Sequence, residues 1–317
     1  MKALVTGGAG FLGSHIVEAL LAAGHQVRVF DHRLHGKCLS GETLRRVETI
    51  ESDITHAAAV DLSVNGCDVV FHCAAMVGMD AYTLQPARTM EVEEAGLRNV
   101  CAGAVAHGVR RVVFASSSAV YGRAGGAEPL REDIEVAPVS NYGVAKHFNE
   151  LYLAAQFAEH GLSSAALRIF NIYGQRQDER LVIPRFVRQA KAGESLNIYG
   201  DGSQTRDFVY AGDVAALALA CSERIVGAQI VNACSGQETS VRVLAERIIA
   251  LSGSRSQIAF HPAPTARNAF EVARCFGSRD RMDEMTSGRT ATPLDDGLCA
   301  VIASLESDRE PEAQRVP

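Results

Sequence analysis

The chain has no stretch of about 20 apolar residues, the length a membrane-spanning helix needs. Its longest apolar runs, such as residues 213–221, fall far short of that. It has no dense run of lysine or arginine, and its formal net charge is −6, which argues against a nucleic-acid partner. Eight cysteines are present, but no two form a Cys-x-x-Cys pair. Most of them, such as Cys73 and Cys101, lie in apolar runs and read as small buried hydrophobes of a reducing compartment. No His/Cys cluster has ligand spacing, so no metal site is expected. The opening residues "MKALVTGGAGFLG" read as a strand and a glycine loop, so no charged leader with a long apolar segment is expected. The expectation is a cytoplasmic protein with neither membrane nor nucleic acid as partner.

What is present is core-forming material in a regular order. The 317 residues are 47% apolar, enough for one large or two modest domains. "KALVT", "QVRVFD", "VETIESD", "CDVVFHCA", "RRVVFASS" and "SAALRIFN" read as six strands. Helical periodicity occupies residues 10–23, 86–108 and 142–160. This alternation predicts parallel βαβ units in an α/β fold with a doubly wound, Rossmann-like sheet. From about residue 175 the alternation weakens. Short runs such as "LNIYG", "RDFVY" and "QIVNA" mix with helical patterns near 181–192, 211–223, 240–252 and 294–306. The expected organisation is a dinucleotide-binding domain over 1–174, a stretch over 175–306 that is mainly a smaller irregular α/β lobe, and a disordered tail over 307–317.

The loop "TGGAGFLG" places Gly7, Gly10 and Gly13 between a strand and a helix. A glycine trio alone is weak evidence; that context is what raises it. Helix-start amides can face a diphosphate there. Gly7 would permit the tight turn, Gly10 close approach to phosphate and Gly13 close helix–strand packing. Asp31 ends the second strand, where a carboxylate can bind adenosine ribose hydroxyls. It favours NAD over NADP, although His32 and Arg33 follow it directly. In "SNYGVAKHFNE", Tyr142 and Lys146 stand four apart at a helix start, and the chain has only four lysines and seven tyrosines.

These motifs, with "HCAA" (72–75), "SSSAVYG" (116–122), "LRIFNIYG" (167–174) and "GDGSQTRDFVY" (200–210), resemble the extended short-chain dehydrogenase/reductase family. The resemblance is specifically to its nucleotide-sugar epimerase/dehydratase branch, over residues 2 to about 305. The resemblance implies that Gly7, Gly10, Phe11, Leu12 and Gly13 hold the NAD diphosphate. Asp53 and Ile54 would meet adenine, and Ala74 and Ala75 would line the nicotinamide side. The helices at 86–108 and 142–160 would build a homodimer interface.

Tyrosine is a poor base in water, with a pKa near ~10, but a lysine one turn away stabilises its phenolate. The resemblance makes Tyr142 the base and lets Lys146 also bind the nicotinamide ribose. Counting back from Val120-Tyr121-Gly122 selects Ser117 to bond the reacting oxygen, with Ser118 a substrate contact. Ser116 best suits ordinary backbone bonding. Asn171, Arg206 and Arg267 would grip the substrate diphosphate, and Tyr199 would lie against the base or serve as a core or hinge aromatic. Two departures stand out. Glu93 occupies the place of an asparagine in "VNVxGT", with Leu97 at the threonine, and Ser117-Ser118-Ala119 lacks the carboxylates of the branch's dehydratases and decarboxylases. The loop 76–86 would help cover the sugar. The activity implied is NAD-dependent epimerisation at C4 of a UDP- or dTDP-linked hexose or uronate. A decarboxylase, a dehydratase or a non-enzymatic NAD-sensing protein are the alternatives.

Overall fold

The structure, a computed structural model, describes residues 1–35, 38–76, 85–124, 126, 128–262 and 272–307. Arg267, residues 77–84 of the expected sugar-covering loop and the tail beyond residue 307 lie outside them. Strands β1 (Lys2–Thr6), β2 (Gln26–Asp31) and β3 (Glu48–Glu51) open the chain. Helices α1 (Phe11–Ala22), α2 (Gly41–Arg45) and α3 (Ala57–Val64) alternate with them. The chain continues with β4 (Val69–His72), α4 (Pro86–Ala106), β5 (Arg111–Ser117), α5 (Asn141–His160), β6 (Ser163–Ile169) and β7 (Asn171–Tyr173).

The second half follows with α6 (Val182–Ala192), β8 (Leu196–Tyr199), β9 (Thr205–Tyr210), α7 (Ala211–Arg224) and β10 (Ala228–Ala233). It closes with β11 (Glu238–Ser240), α8 (Val241–Leu251), β12 (Ile258–His261), β13 (Arg274–Cys275), α9 (Asp280–Met285) and α10 (Leu294–Ser307).

Seven strands form one parallel sheet in the order β10-β6-β5-β4-β1-β2-β3. Every residue of β4, "VVFH", is buried, as expected of a strand covered by helices on both faces. The strand order reverses direction between β1 and β4. The crevice beyond their carboxyl ends is where this architecture binds ligands.

The chain departs from the expected division at residue 175. "QIVNA", expected within the smaller lobe, is β10, the edge strand of the large sheet, paired parallel to β6. Just before it, α7 buries Val214, Leu217 and Ala218 in the same core as Ile16, Val17 and Leu20 of α1. The apolar face of α7 thus draws the chain back across the first layer before the small lobe is finished. That lobe contains a sheet ordered β11-β9-β13, with β7 also on β9, and a β12-β8 pair. Its core includes Tyr173, Phe186, Leu196, Phe208 and Leu244.

Helix α5 begins where the Ser140 hydroxyl accepts the Gly143 amide at 3.1 Å and ends at Gly161, whose φ is 71°. Its buried face carries polar side chains beside Ala145 and Leu153: Lys146, Asn149 and Glu150 point inward. Val144, Phe148 and Leu151 remain 43%, 47% and 60% exposed. This inversion brings the chemistry of α5 to the sheet and leaves an apolar stripe outside.

Candidate active site

The glycine loop is shaped by contacts no side chain would tolerate. Gly7 has φ +66°, and a Cβ there would sit 2.6 Å from the Ala74 amide nitrogen. A Cβ on Gly13 would lie 2.1 Å from the Gly7 carbonyl oxygen, so only glycine lets α1 start against the loop. Gly10 caps α1 without a side-chain bond. Phe11, Leu12 and Gly13 therefore supply amides at a helix N-terminus. At the end of β2, Asp31 is 3% exposed, and its carboxylate accepts the Ala9 amide at 3.1 Å and the Arg33 amide at 3.2 Å. His32 Nδ1 lies 3.1 Å from the same carboxylate. A carboxylate ties loop to strand here. The close-packed glycines, open helix start and strand-end acid fit NAD.

Asp53 and Ile54 are engaged with the protein. Asp53 accepts from the Thr55 amide and hydroxyl at 2.9 and 2.8 Å and pairs with Arg88 at 2.6 Å. Burial pushes its pKa up, but the Thr55 bonds and the Arg88 charge outweigh that and lower it. Ile54 is buried beneath Gly96, and its carbonyl accepts Asn99 Nδ2 at 3.0 Å. Ala74 and Ala75 follow β4, with the Ala74 amide 3.4 Å from Thr6 Oγ1.

The catalytic candidates gather between β5 and α5. Lys146 is 2% exposed, donates to the Ala115 carbonyl at 2.7 Å and stands 4.7 Å over the Phe114 ring. Its Nζ is 5.4 Å from the Tyr142 ring centre. Glu93, reaching across from α4, sets a carboxyl oxygen 2.9 Å from Nζ. Both Glu93 oxygens lie off the hydrogen-bond line, so the contact is an ion pair. The departure noticed in sequence is therefore a direct partner of Lys146.

The serines divide differently from expectation. Ser116, expected to bond backbone, donates to Glu150 Oε1 at 2.6 Å. Ser117 is the one whose oxygen accepts a backbone amide, that of Ala119 at 3.1 Å. Strand alternation explains this: Ser116 points toward the buried face of α5 and Ser117 toward the crevice. The Ser117 hydroxyl proton remains to be donated.

Ser118 opens the turn after β5, and on β13 Cys275 pairs in register with Arg206 of β9. Arg206 is half-buried and donates to the Thr205 carbonyl at 2.7 Å. Exposed Asn171 registers with Phe208, two residues along the same strand. Tyr199 ends β8 with its ring 6.2 Å from that of His261. The structure thus brings Asn171 and Arg206 onto neighbouring strands and places Tyr199 in a separate two-stranded pair.

Three partners were not read from sequence. Arg168 grips Glu150 with Nε at 3.1 Å and a terminal nitrogen at 2.9 Å, behind Ser116. His72 bonds Thr6 at 2.7 Å, and burial, then the Lys146 charge, lowers its pKa to about 3. Asp207 accepts from the Ser235 amide and hydroxyl and the Gly236 amide, pinning the strand that carries Arg206. Burial raises the Asp207 pKa against those bonds. The spacing of Lys146 and Glu150 was a visible signal; their burial was not. Among the described residues, no group of three or more His, Cys, Asp or Glu side chains could hold a metal ion. No helix among them is long and apolar enough to cross a membrane.

A profile of the NAD dependent epimerase/dehydratase family matches residues 3–234. The UDP-N-acetyl-alpha-D-glucosaminuronate decarboxylase of Bacillus cytotoxicus is 36% identical over 271 residues, 82% of this chain and 83% of that protein. The UDP-glucose 4-epimerase of Mycolicibacterium smegmatis is 35% identical, over 83% of this chain and 86% of that one. In three dimensions, the UDP-glucose 4-epimerase of Thermotoga maritima, solved with UDP-glucose, superposes with a TM-score of 0.89 at 28% identity. That match covers 97% of this chain and 99% of the other.

Proposed function

The chain belongs to the NAD dependent epimerase/dehydratase family, and from that premise we propose that it epimerises a nucleoside-diphosphate sugar at C4 through a 4-keto intermediate. One observation carries the choice of reaction. The strand end reads Ser117-Ser118-Ala119, and the two buried carboxylates beside it, Glu93 and Glu150, are paired with Lys146 and Arg168. An elimination needs a carboxylic acid and base; here a methyl group stands where one would be. What the crevice offers is Tyr142, Lys146 and Ser117.

NAD held at the glycine loop would supply the hydride acceptor and the returning donor. The Tyr142 phenolate takes the proton of the C4 hydroxyl, steadied by the Lys146 charge, and gives it back to the oxygen at the end. Ser117 donates its hydroxyl proton to the same oxygen. Between the two hydride steps the ketone turns over and presents its other face. Arg206 and Asn171 hold the substrate diphosphate while it does so, with Arg206 matching phosphate oxygens by its planar fork. Arg267 and Tyr199 are assigned to diphosphate and base. Adenine falls to Asp53 and Ile54.

Two copies pair through α4 and α5, which buries Val144, Phe148 and Leu151; their spacing makes one continuous exposed apolar stripe. Leu151→Glu should shift the protein to a monomer in size-exclusion chromatography with light scattering. All eight cysteines carry free thiols, in keeping with a cytoplasmic setting. The similarity to a decarboxylase supports a second reading, loss of carbon dioxide from a uronate. Both readings are tested by incubating the purified protein with UDP- and dTDP-linked hexoses and uronates and identifying products by NMR. A C4 epimer is expected; a pentose product with released carbon dioxide would favour the second reading over the first.

A further inference from the structure

The surroundings of Lys146 hold one charge the proposed chemistry does not use. Glu93 is 0% exposed, lies 2.9 Å from Lys146 Nζ and has no hydrogen bond to either carboxyl oxygen. Its helix is fixed there because Asn149 Nδ2 donates to the Glu93 carbonyl at 3.1 Å. Glu93 is therefore held by α5, the helix that carries Tyr142 and Lys146.

We propose that Glu93 is the ionised counter-ion of Lys146 and acts as a positioning residue that sets the charge beneath Tyr142, raising the pH at which the tyrosine ionises. A phenolate at Tyr142 is favoured by the ammonium 5.4 Å from its ring centre. A carboxylate against that ammonium cancels much of its field at short range, and little water intervenes to screen either charge. Removing the carboxylate would leave the ammonium acting alone.

The other groups packed around the pair do not supply that charge. From β4, His72 is neutral, its pKa lowered to about 3 by burial and by Lys146. The Cys73 thiol is pushed up to about 12 by burial. β1 contributes Thr6, bonded to His72, and β5 contributes the Phe114 ring and the Ala115 carbonyl. On α5, Asn149 is uncharged and Glu150 is taken by Arg168 and Ser116. On α4, Thr89 is uncharged and donates to the Gln85 carbonyl. Burial raises the Glu93 pKa, and the Lys146 charge opposes that rise.

The consequence for turnover rests on the reading of Tyr142 as the base, but the test does not. Cofactor-free protein is titrated with alkali while phenolate absorbance is followed. Wild type and Glu93→Gln are each compared with the same protein carrying Tyr142→Phe, which isolates the Tyr142 component. Glutamine keeps the size and polarity of the partner and removes only its charge. The Tyr142 component should ionise lower in Glu93→Gln by about one pH unit or more, the range of a single nearby charge. Glu93→Asn should give the same direction.

An unchanged or raised titration would overturn the proposal, because a merely positional role survives in glutamine. Should either variant fail to fold, carbon-13 NMR of the wild-type Glu93 carboxyl decides: a carboxylate at pH 7 is required, and a protonated acid there overturns it. A shifted titration in an enzyme whose Tyr142→Phe variant stays fully active would sink the base assignment and leave the counter-ion standing.

Discussion

The pair of Glu150 and Arg168 lets the cost of a perturbation be worked out from its surroundings. The two side chains are 5% and 2% exposed and meet through two hydrogen bonds of 3.1 and 2.9 Å. Arg168 also donates to the Glu132 carbonyl at 3.3 Å and lies 4.7 Å over the Tyr121 ring. Glu150 has the Ser116 hydroxyl at 2.6 Å and His147 Nδ1 at 3.5 Å as its other neighbours. Arg168→Met keeps most of the stem and removes the charge, leaving a buried carboxylate with one good hydrogen bond. Breaking a buried pair from one side costs about 3–5 kcal/mol. Removing both charges, with Arg168→Met and Glu150→Leu together, removes the unpaired ion as well. The double variant should therefore be more stable than Arg168→Met alone, with a coupling of about 1–3 kcal/mol. Urea unfolding of the four proteins, with slopes checked for constancy, measures this. A loss below about 1 kcal/mol in Arg168→Met, or a double variant no better than that single one, would refute the reasoning.

Tyr142→Phe should cut turnover by about 10²–10⁴-fold while thermal unfolding stays unchanged, because it removes a proton acceptor and little volume. Asp31→Ala should weaken NAD binding through lost charge-assisted bonds worth about 1.5–3 kcal/mol each, and a preference for NADP in the wild type would show that Asp31 does not face the ribose. Arg206→Ala should weaken UDP or dTDP binding by about 2–5 kcal/mol in titration calorimetry and leave NAD binding unchanged, since Arg206 lies on β9 of the small sheet and the glycine loop follows β1 of the large one. His72 gives a pH effect of definite sign. Its folded pKa of about 3 lies below its ordinary 6.5, so the unfolded chain takes up a proton first and stability falls as pH drops from about 6.5 toward 3. His72→Gln should remove up to about 1.4 kcal/mol per pH unit of that slope in acid denaturation.

The large sheet was legible because parallel strands covered on both faces must be apolar throughout, and "KALVT" and "VVFH" say so without knowledge of their partners. The glycine loop was legible for a related reason: its contacts exclude any Cβ at Gly7 and Gly13. The place of β10 was not legible. A run as short as "QIVNA" fits either sheet, and only the docking of α7 on α1 decides. Polar partnerships were the least legible. Glu93 stood out by its residue type, yet nothing in "MEVEEAGLRN" says that it meets a lysine on another helix. The three consecutive serines could have been sorted by strand alternation, which turns Ser116 inward and Ser117 to the crevice. Helix α5 looked amphipathic in the ordinary sense, yet Lys146, Asn149, Glu150 and Gln156 are among its buried residues.

Hydride return to the carbon it left is the central claim, and isotope labelling tests it most directly. A nucleotide hexose that the protein turns over, deuterated at C4, is incubated with the enzyme in ordinary water and followed by NMR. The expected product is the C4 epimer with deuterium still at C4, because the same hydride leaves and returns while only the hydroxyl proton passes through Tyr142. An epimer that has lost its C4 deuterium to solvent, or a product changed at C5 or C6 with C4 left unepimerised, would contradict it.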